Sequence, residues 1–283
     1  MKRVYALSLL RQTASSPSGL LGVVIVFGMT GLALVVGVAG ASLLPYDPLE
    51  QNVGPPLAPP SWEHLFGTDR LGRDVFSRIL YSAPNDFLVS VTVISFAAIT
   101  GMLFGSFVAF RGGLVEEALM RVTDVFLSLP AIVLAIATSV ALGPGVTNMM
   151  YALMIVWWPP YSRVARGEAL RIVQSTFIEA AVGSGLGTTR IIFKHVVPNI
   201  FSTIFVYATI DFGQVILVYS GLSYLGLSVR PPYPDWGEMV SSYKEFMVAA
   251  PWLPLFPGAV IALVVIGFGL LGDALRDAMG IRG

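Results

Sequence analysis

The side chains able to do chemistry are few. There is no cysteine, and His64 and His195 are the only histidines. Disulfides, thiolate metal centres, cysteine nucleophiles and a histidine-rich metal site are thereby excluded. Neither Gly-x-Ser-x-Gly nor His-Glu-x-x-His occurs, so the usual hydrolase signatures are missing. A phosphate-cradling loop needs Gly-x-x-x-x-Gly-Lys-Ser/Thr. The three lysines are followed by Arg3, His195 and Glu245, and none completes that motif. The chain is thus read as no enzyme, with no cofactor of its own. Two acidic residues stand out instead: Glu179 in a short capped stretch, and Asp211 inside an apolar one.

The elements around them are set by composition. Of 283 residues 55% are hydrophobic and only 12% charged, about half the charged fraction of an average soluble domain. Such a chain cannot coat a globule with polar side chains, and reads as an all-α polytopic membrane bundle. Basic and acidic residues balance at seventeen each, so no nucleic-acid partner is indicated. A crossing helix needs about 20 apolar residues. About six spans result: Leu20 to Leu44, Phe87 to Phe110, 118–142, 146–161, Asn199 to Leu222, and Trp252 to Leu271. Gly143-Pro144-Gly145 splits the long uncharged run between the third and fourth. Ala39-Gly40-Ala41 resembles a signal-peptidase site, but the apolar run before it is too long for a signal peptide, so the first span is expected to stay as an anchor. With the N-terminus inside, twelve basic residues fall on inner segments and five on outer ones. Both termini are therefore expected in the cytoplasm.

The longest inner loop, 163–198, has structure of its own. Arg163, Arg166, Glu168 and Arg171 continue the fourth span as a helix into the cytosol, with Glu168 and Arg171 as an i, i+3 pair. Thr176-Phe177-Ile178-Glu179 fits a capping box, with Thr176 as N-cap and Glu179 three residues on. The short helix it opens runs through Ala180 and Ala181 and stops at 183–187. A second is expected from Thr188 to Val197, ending at Pro198. Spacing alone leaves two readings open: a solvated connector in which Glu179 only caps, or a stiff helix that docks into a partner.

Glu179-Ala180-Ala181, Gly185 and Val197-Pro198 resemble the EAA loop of permease subunits from binding-protein-dependent ABC importers. His195 and Val197 depart from the broad pattern at positions that concern helix packing. The resemblance narrows to C-type permeases of the dipeptide/oligopeptide/nickel group through three further segments in order. These are Phe66-Gly67-Thr68-Asp69-Arg70-Leu71-Gly72-Arg73-Asp74-Val75-Phe76-Ser77-Arg78, Leu222-Ser223-Tyr224-Leu225-Gly226-Leu227 with Pro231-Pro232 and Asp235-Trp236-Gly237, and Leu270-Leu271-Gly272-Asp273-Ala274-Leu275-Arg276-Asp277. It implies the type I ABC importer permease fold, with an anchor and extracytoplasmic segment over 1–85 and a permease domain over 86–283. It implies a coupling helix in which Thr176, Glu179, Ala180, Ala181, Gly185 and Pro198 meet an ATPase. The implied partners are a homologous B-type permease, two ATPase subunits holding the ATP and Mg, and an extracytoplasmic solute-binding protein, all in a cell membrane among lipid. Di- and oligopeptides are the implied cargo, with oligosaccharides or nickel as alternatives. Rival readings are a secondary transporter or channel, which would work as a single subunit without ATP, and an intramembrane enzyme built from dispersed serines and aspartates.

Charge inside a span is costly and marks function. Asp211 sits near mid-membrane with Gln214 on the same face, as a pathway-lining pair able to meet a cationic group or as a packing carboxyl. Asp124 is expected to pair with Arg121 or sit at a helix N-terminus, and Asp273 to pair with Arg276. Gly101 and Gly105 form a small-xxx-small packing face. Trp157, Trp158 and Trp252 are interface-belt candidates. Asp69, Arg70, Arg73 and Asp74 are expected as rim contacts or on a solvated amphipathic helix.

Overall fold

The computed structural model describes residues 12–229 and 231–280. The helices are α1 Pro17–Ala39, α2 Val75–Arg111, α3 Gly113–Leu127, α4 Ala131–Leu142, α5 Val146–Val173, α6 Thr176–Gly183, α7 Thr188–Ile191, α8 Val197–Tyr224, α9 Trp236–Tyr243 and α10 Trp252–Ala278. No strand occurs among the described residues.

Local chemistry starts the long helices. Ser16 Oγ accepts from Gly19 N–H at 3.1 Å, with Pro17 in the first turn of α1. Asp74 caps α2 by accepting from Ser77 N–H at 2.7 Å. At 37 residues, α2 is about 55 Å long at 1.5 Å per residue. It outruns a hydrocarbon layer of about 30 Å, so part of it stands outside the membrane.

Two apolar cores hold the bundle. One joins α1, α2, α8, α9 and α10 around Phe87, Phe212, Phe268 and Trp236. The other joins α2, α4, α5 and α8 around Val93, Met149, Leu153 and Tyr161. The α2–α5 crossing depends on the glycine pair. A Cβ on Gly101 would lie 2.4 Å from Tyr161 Cβ, and one on Gly105 would lie 2.5 Å from Ser162 O. The backbones meet closely because neither position carries a side chain.

Four helical segments are long and apolar enough to cross a membrane, and α3 with α4 makes a fifth if the bent pair is one span. The sixth expected span, α5, has the length at 28 residues, but Thr147, Asn148, Trp157, Trp158, Pro159 and Pro160 dilute its apolar character. It is packed between α2, α4 and α8, where polar groups meet protein instead of lipid.

The third span is not one straight helix. It breaks between Leu127 and Ala131 with an 84° bend. Pro130 has no N–H to continue the ladder and disfavours helical geometry at Leu129. Pro198 does not end a helix either. The segment Thr188–Tyr224 is continuous, with a π turn at Ile192–Val196 where Val197 N–H reaches back to Ile192 O. The wider turn eases the proline ring past the preceding carbonyls, and Asn199 Nδ2 covers His195 O at 2.6 Å.

The 66–78 segment is not a solvated helix. Asp69 and Asp74 are buried. Asp69 Oδ1 accepts from Leu71 N–H at 2.8 Å and Arg73 N–H at 3.1 Å, while Oδ2 accepts from Arg73 Nε at 2.7 Å. Asp74 Oδ1 is bonded to His64 Nδ1 at 2.9 Å. Buried Arg78 donates to Pro48 O at 2.9 Å. These groups tie the loop before α2 to the start of that helix. Only Arg70 reaches the surface as a rim charge, 3.3 Å from Glu245.

Candidate functional site

The 163–198 loop is built as a rigid seat. Ile178 of α6 is buried with Ala109, Ala169, Ile191 and Val196, and Phe110 and Leu170 pack around them. These residues come from the end of α2, the end of α5 and the start of the α7–α8 segment, so three elements converge at one short helix. The capping box does not form. Ser175 is the N-cap, Glu179 falls one position later than a capping box requires, and no side chain caps the end. Ser175 Oγ instead turns back to Ile172 O. At the other end Leu186 N–H bonds to Ala181 O at 3.2 Å and Gly185 N–H to Val182 O at 2.9 Å. Gly185 has φ +80°, a left-handed conformation that closes the helix.

With no capping duty, Glu179 stands on the exposed face and pairs with no described cation. Thr176, Phe177, Ala180 and Val182 flank it at the surface, and Phe193 is also exposed. A hollow of about 450 Å³ runs beside them, lined by Phe110, Val173, Gln174, Ser175, Ile178, Glu179 and Val182. Aromatic and aliphatic side chains exposed on a loop outside the spans are suited to a protein partner. Gly185 and Pro198 are exposed as well, but Pro198 lies beyond the π turn, in the first turn of α8.

The intramembrane site is different. Asp211 lies half-buried at the middle of α8, and Gln214, nearly one turn on, is exposed. Its carboxyl faces the Tyr161 hydroxyl and the Trp157 indole of α5, with Tyr207 beside it. Trp157 is therefore turned into the protein and is no belt residue. The Tyr161 and Tyr207 rings meet edge to face with centroids 4.9 Å apart. Tyr207 follows from its place four residues before Asp211 on the same helix, but Tyr161 and Trp157 were not readable from sequence, because α5 and α8 are separated by the whole 163–198 loop. The adjoining side of α8 borders an apolar groove of about 640 Å³ with Phe27, Ile94, Phe205 and Phe268 in its wall.

The charges around α3 also pair differently from their spacing. Asp124 is bonded to Arg163 across helices, while Arg121 pairs with Glu117 at 3.0 Å. Arg166 Nε donates to Glu116 at 2.6 Å. These bridges lash α3 to α5, which the bend after Leu127 brings alongside. Glu168 and Arg171 do pair, at 3.6 Å. Asp273 and Arg276 do not pair, contrary to their spacing: both are exposed and form no ion pair among the described residues, since solvent leaves such a contact worth little.

At the opposite end of the bundle, Asp235 caps α9, accepting from Gly237 N–H at 3.0 Å and Glu238 N–H at 3.3 Å, and receives the Ser223 hydroxyl. Burial pushes its carboxyl above the usual range, against the pull of the Ser223, Tyr219 and backbone donors. Asp86 of α2 lies against it, buried and with neither carboxyl oxygen hydrogen-bonded.

Comparison with known proteins places this architecture. Residues 101–282 match the family described as binding-protein-dependent transport system inner membrane component. The chain is 41% identical over 230 residues to the dipeptide transport system permease protein DppC of Alkalihalophilus pseudofirmus, covering 81% of this chain and 76% of that one. It is 37% identical over 248 residues to the probable D,D-dipeptide transport system permease protein DdpC of Escherichia coli, covering 88% and 83%. It is 40% identical over 220 residues to the glutathione transport system permease protein GsiD of Salmonella typhimurium, covering 78% and 73%. Its fold is similar to that in a structure of inward-facing conformations of the MetNI methionine ABC transporter, with TM-score 0.57, 15% identity, and coverage of 74% of this chain and 98% of that one. A bundle of apolar helices, a short helix seated outside the spans and a family match over its last two-thirds have one reading: the chain is a multi-pass membrane permease that belongs to the binding-protein-dependent transport system inner membrane components, the ABC importer permeases.

Proposed function

We propose that this chain forms half of the path by which an ATP-driven importer brings di- and oligopeptides across the cell membrane, with both termini cytoplasmic. A homologous B-type permease supplies the other half, an extracytoplasmic binding protein delivers the peptide, and two ATPase subunits bind the ATP and Mg. Peptide as cargo is supported by the names of the relatives reported above. The observation that carries the mechanism is α6: a short helix with Ile178 locked inside and Phe177 and Glu179 outside. Docked on an ATPase, such a helix moves as a unit with its seat.

The seat explains how the movement travels. Ile191 and Val196 belong both to the packing under α6 and to the continuous segment that becomes α8. From Thr188 to Asp211 that segment is about 35 Å long at 1.5 Å per residue, which carries motion from the cytosol to mid-membrane. Each nucleotide state of the ATPases favours a different permease conformation, and transport follows from cycling between them.

The test is uptake of a labelled dipeptide into proteoliposomes holding the full assembly. Glu179→Ala should lower uptake at least about tenfold, while thermal stability stays within about 0.5 kcal/mol, as for an exposed side chain. Unchanged uptake in that variant would remove the docking assignment, and uptake of a sugar or of nickel in place of the dipeptide would replace the cargo.

A further inference from the structure

Asp211 lies at the middle of α8, yet its carboxyl forms no ion pair with any described residue. A carboxylate used only to fasten helices would be expected to take a firm bond from its neighbour. The Tyr161 hydroxyl and the Trp157 indole are turned toward it, yet the fully buried Tyr161 hydroxyl closes no hydrogen bond. A buried hydroxyl left open next to a half-buried carboxyl is an incomplete polar site. The side of α8 that carries Asp211 stays open: Gln214, Leu217 and Gly221 follow it as exposed residues. A carboxylate and an amide facing hydrocarbon are costly, so this face belongs to a watered path.

We propose that Asp211, with Tyr161, Tyr207 and Trp157 around it, is a subsite in the translocation path that takes the free N-terminal ammonium of a peptide. This rests on the peptide-importer reading above. The chemistry fits on three counts. An ammonium brings the positive charge that Asp211 lacks, and a charge-assisted bond to a carboxylate is the strong kind. It has three donors, for which the two Asp211 oxygens and the Gln214 amide oxygen are acceptors. Aromatic rings flanking a carboxylate add cation–π attraction for an ammonium entering between them. A hard metal cation fits less well, since it needs six or more oxygen ligands and no group of three or more acidic or histidine ligands occurs among the described residues.

The experiment uses the permease pair with its ATPases in nanodiscs, without binding protein, so that the binding protein's own selectivity does not enter. Dialanine and N-acetyl-dialanine are titrated in, and binding is read by heat and by tryptophan fluorescence. The wild type should bind dialanine at least about tenfold more tightly than the acetylated form. Asp211→Asn should abolish that difference and Asp211→Glu should restore part of it. Tyr207→Leu should weaken dialanine binding severalfold, and decides the matter if the asparagine variant does not assemble. Equal affinity of the wild type for both peptides would overturn the subsite. So would Asp211→Asn and Tyr207→Leu variants that bind dialanine like the wild type. Dialanine uptake by the complete proteoliposome system separates the two readings. Uptake without discrimination at Asp211 removes the subsite alone; no peptide uptake removes the importer reading beneath it.

Discussion

Single residues decide how closely the helices of this bundle approach. Gly101 is the clearest case, because Tyr161 Cβ would lie 2.4 Å from any Cβ placed there. Gly101→Leu should force α2 from α5, at a cost of at least about 1–3 kcal/mol for overpacking. The loss should be visible as a lower unfolding temperature and a lower yield of folded protein in membranes; an unchanged temperature would mean that the crossing is not tight. Gly101 and Gly105 were legible as a packing face from their spacing. Their partners, Tyr161 and Ser162, were not, since a small-xxx-small motif says that something comes close without saying what. Asp211 shows the same division. Its oddity is plain in a one-dimensional sequence, and Tyr207 stands one turn before it, but Tyr161 and Trp157 of α5 arrive only through packing.

Elements are governed by their ends, and α9 begins with a titrating one. Asp235 caps α9 from a buried position, and its carboxyl is held above the ordinary value of 3.8. The folded protein therefore binds this proton more tightly than the unfolded chain does. The stabilisation is complete below the unfolded value and is lost as pH rises through the folded one. Thermal unfolding of the purified protein should show stability declining as pH rises above about 4, with a shallower decline in Asp235→Asn, which keeps a good N-cap. A slope identical in the variant would show that another group controls it. At this scale the capping reading of Thr176 failed by one position. Ser175 and Thr176 are both able caps, and the choice between them was made by Ile178, which must point into the apolar seat.

The whole molecule is a membrane bundle whose two ends do different things. A tied polar loop lies over one end, and at the other a short helix is seated on three elements. Its orientation is open to direct measurement because the chain has no cysteine, so labelling has no background. Trp62 is 97% exposed and Leu114 is 84% exposed, at opposite ends. A membrane-impermeant maleimide should label Trp62→Cys on intact cells and Leu114→Cys only after permeabilisation. The reverse pattern would turn the permease over and place α6 outside, where no ATPase could meet it.

What the linear chain determined by itself was the class of solvent it lives in, the helices and most of their turns, and the short helix bounded by 183–187. Those properties follow from local composition and the backbone's preferences. The bend at Pro130, the unbroken run past Pro198, the Asp124–Arg163 and Glu116–Arg166 bridges and the aromatic surround of Asp211 were decided only by tertiary structure. A proline tells the backbone which hydrogen bond is missing, but neighbouring helices settle whether the chain bends or widens a turn. Likewise, a charge takes whichever partner the packed helices bring nearest, and distance along the chain does not measure that.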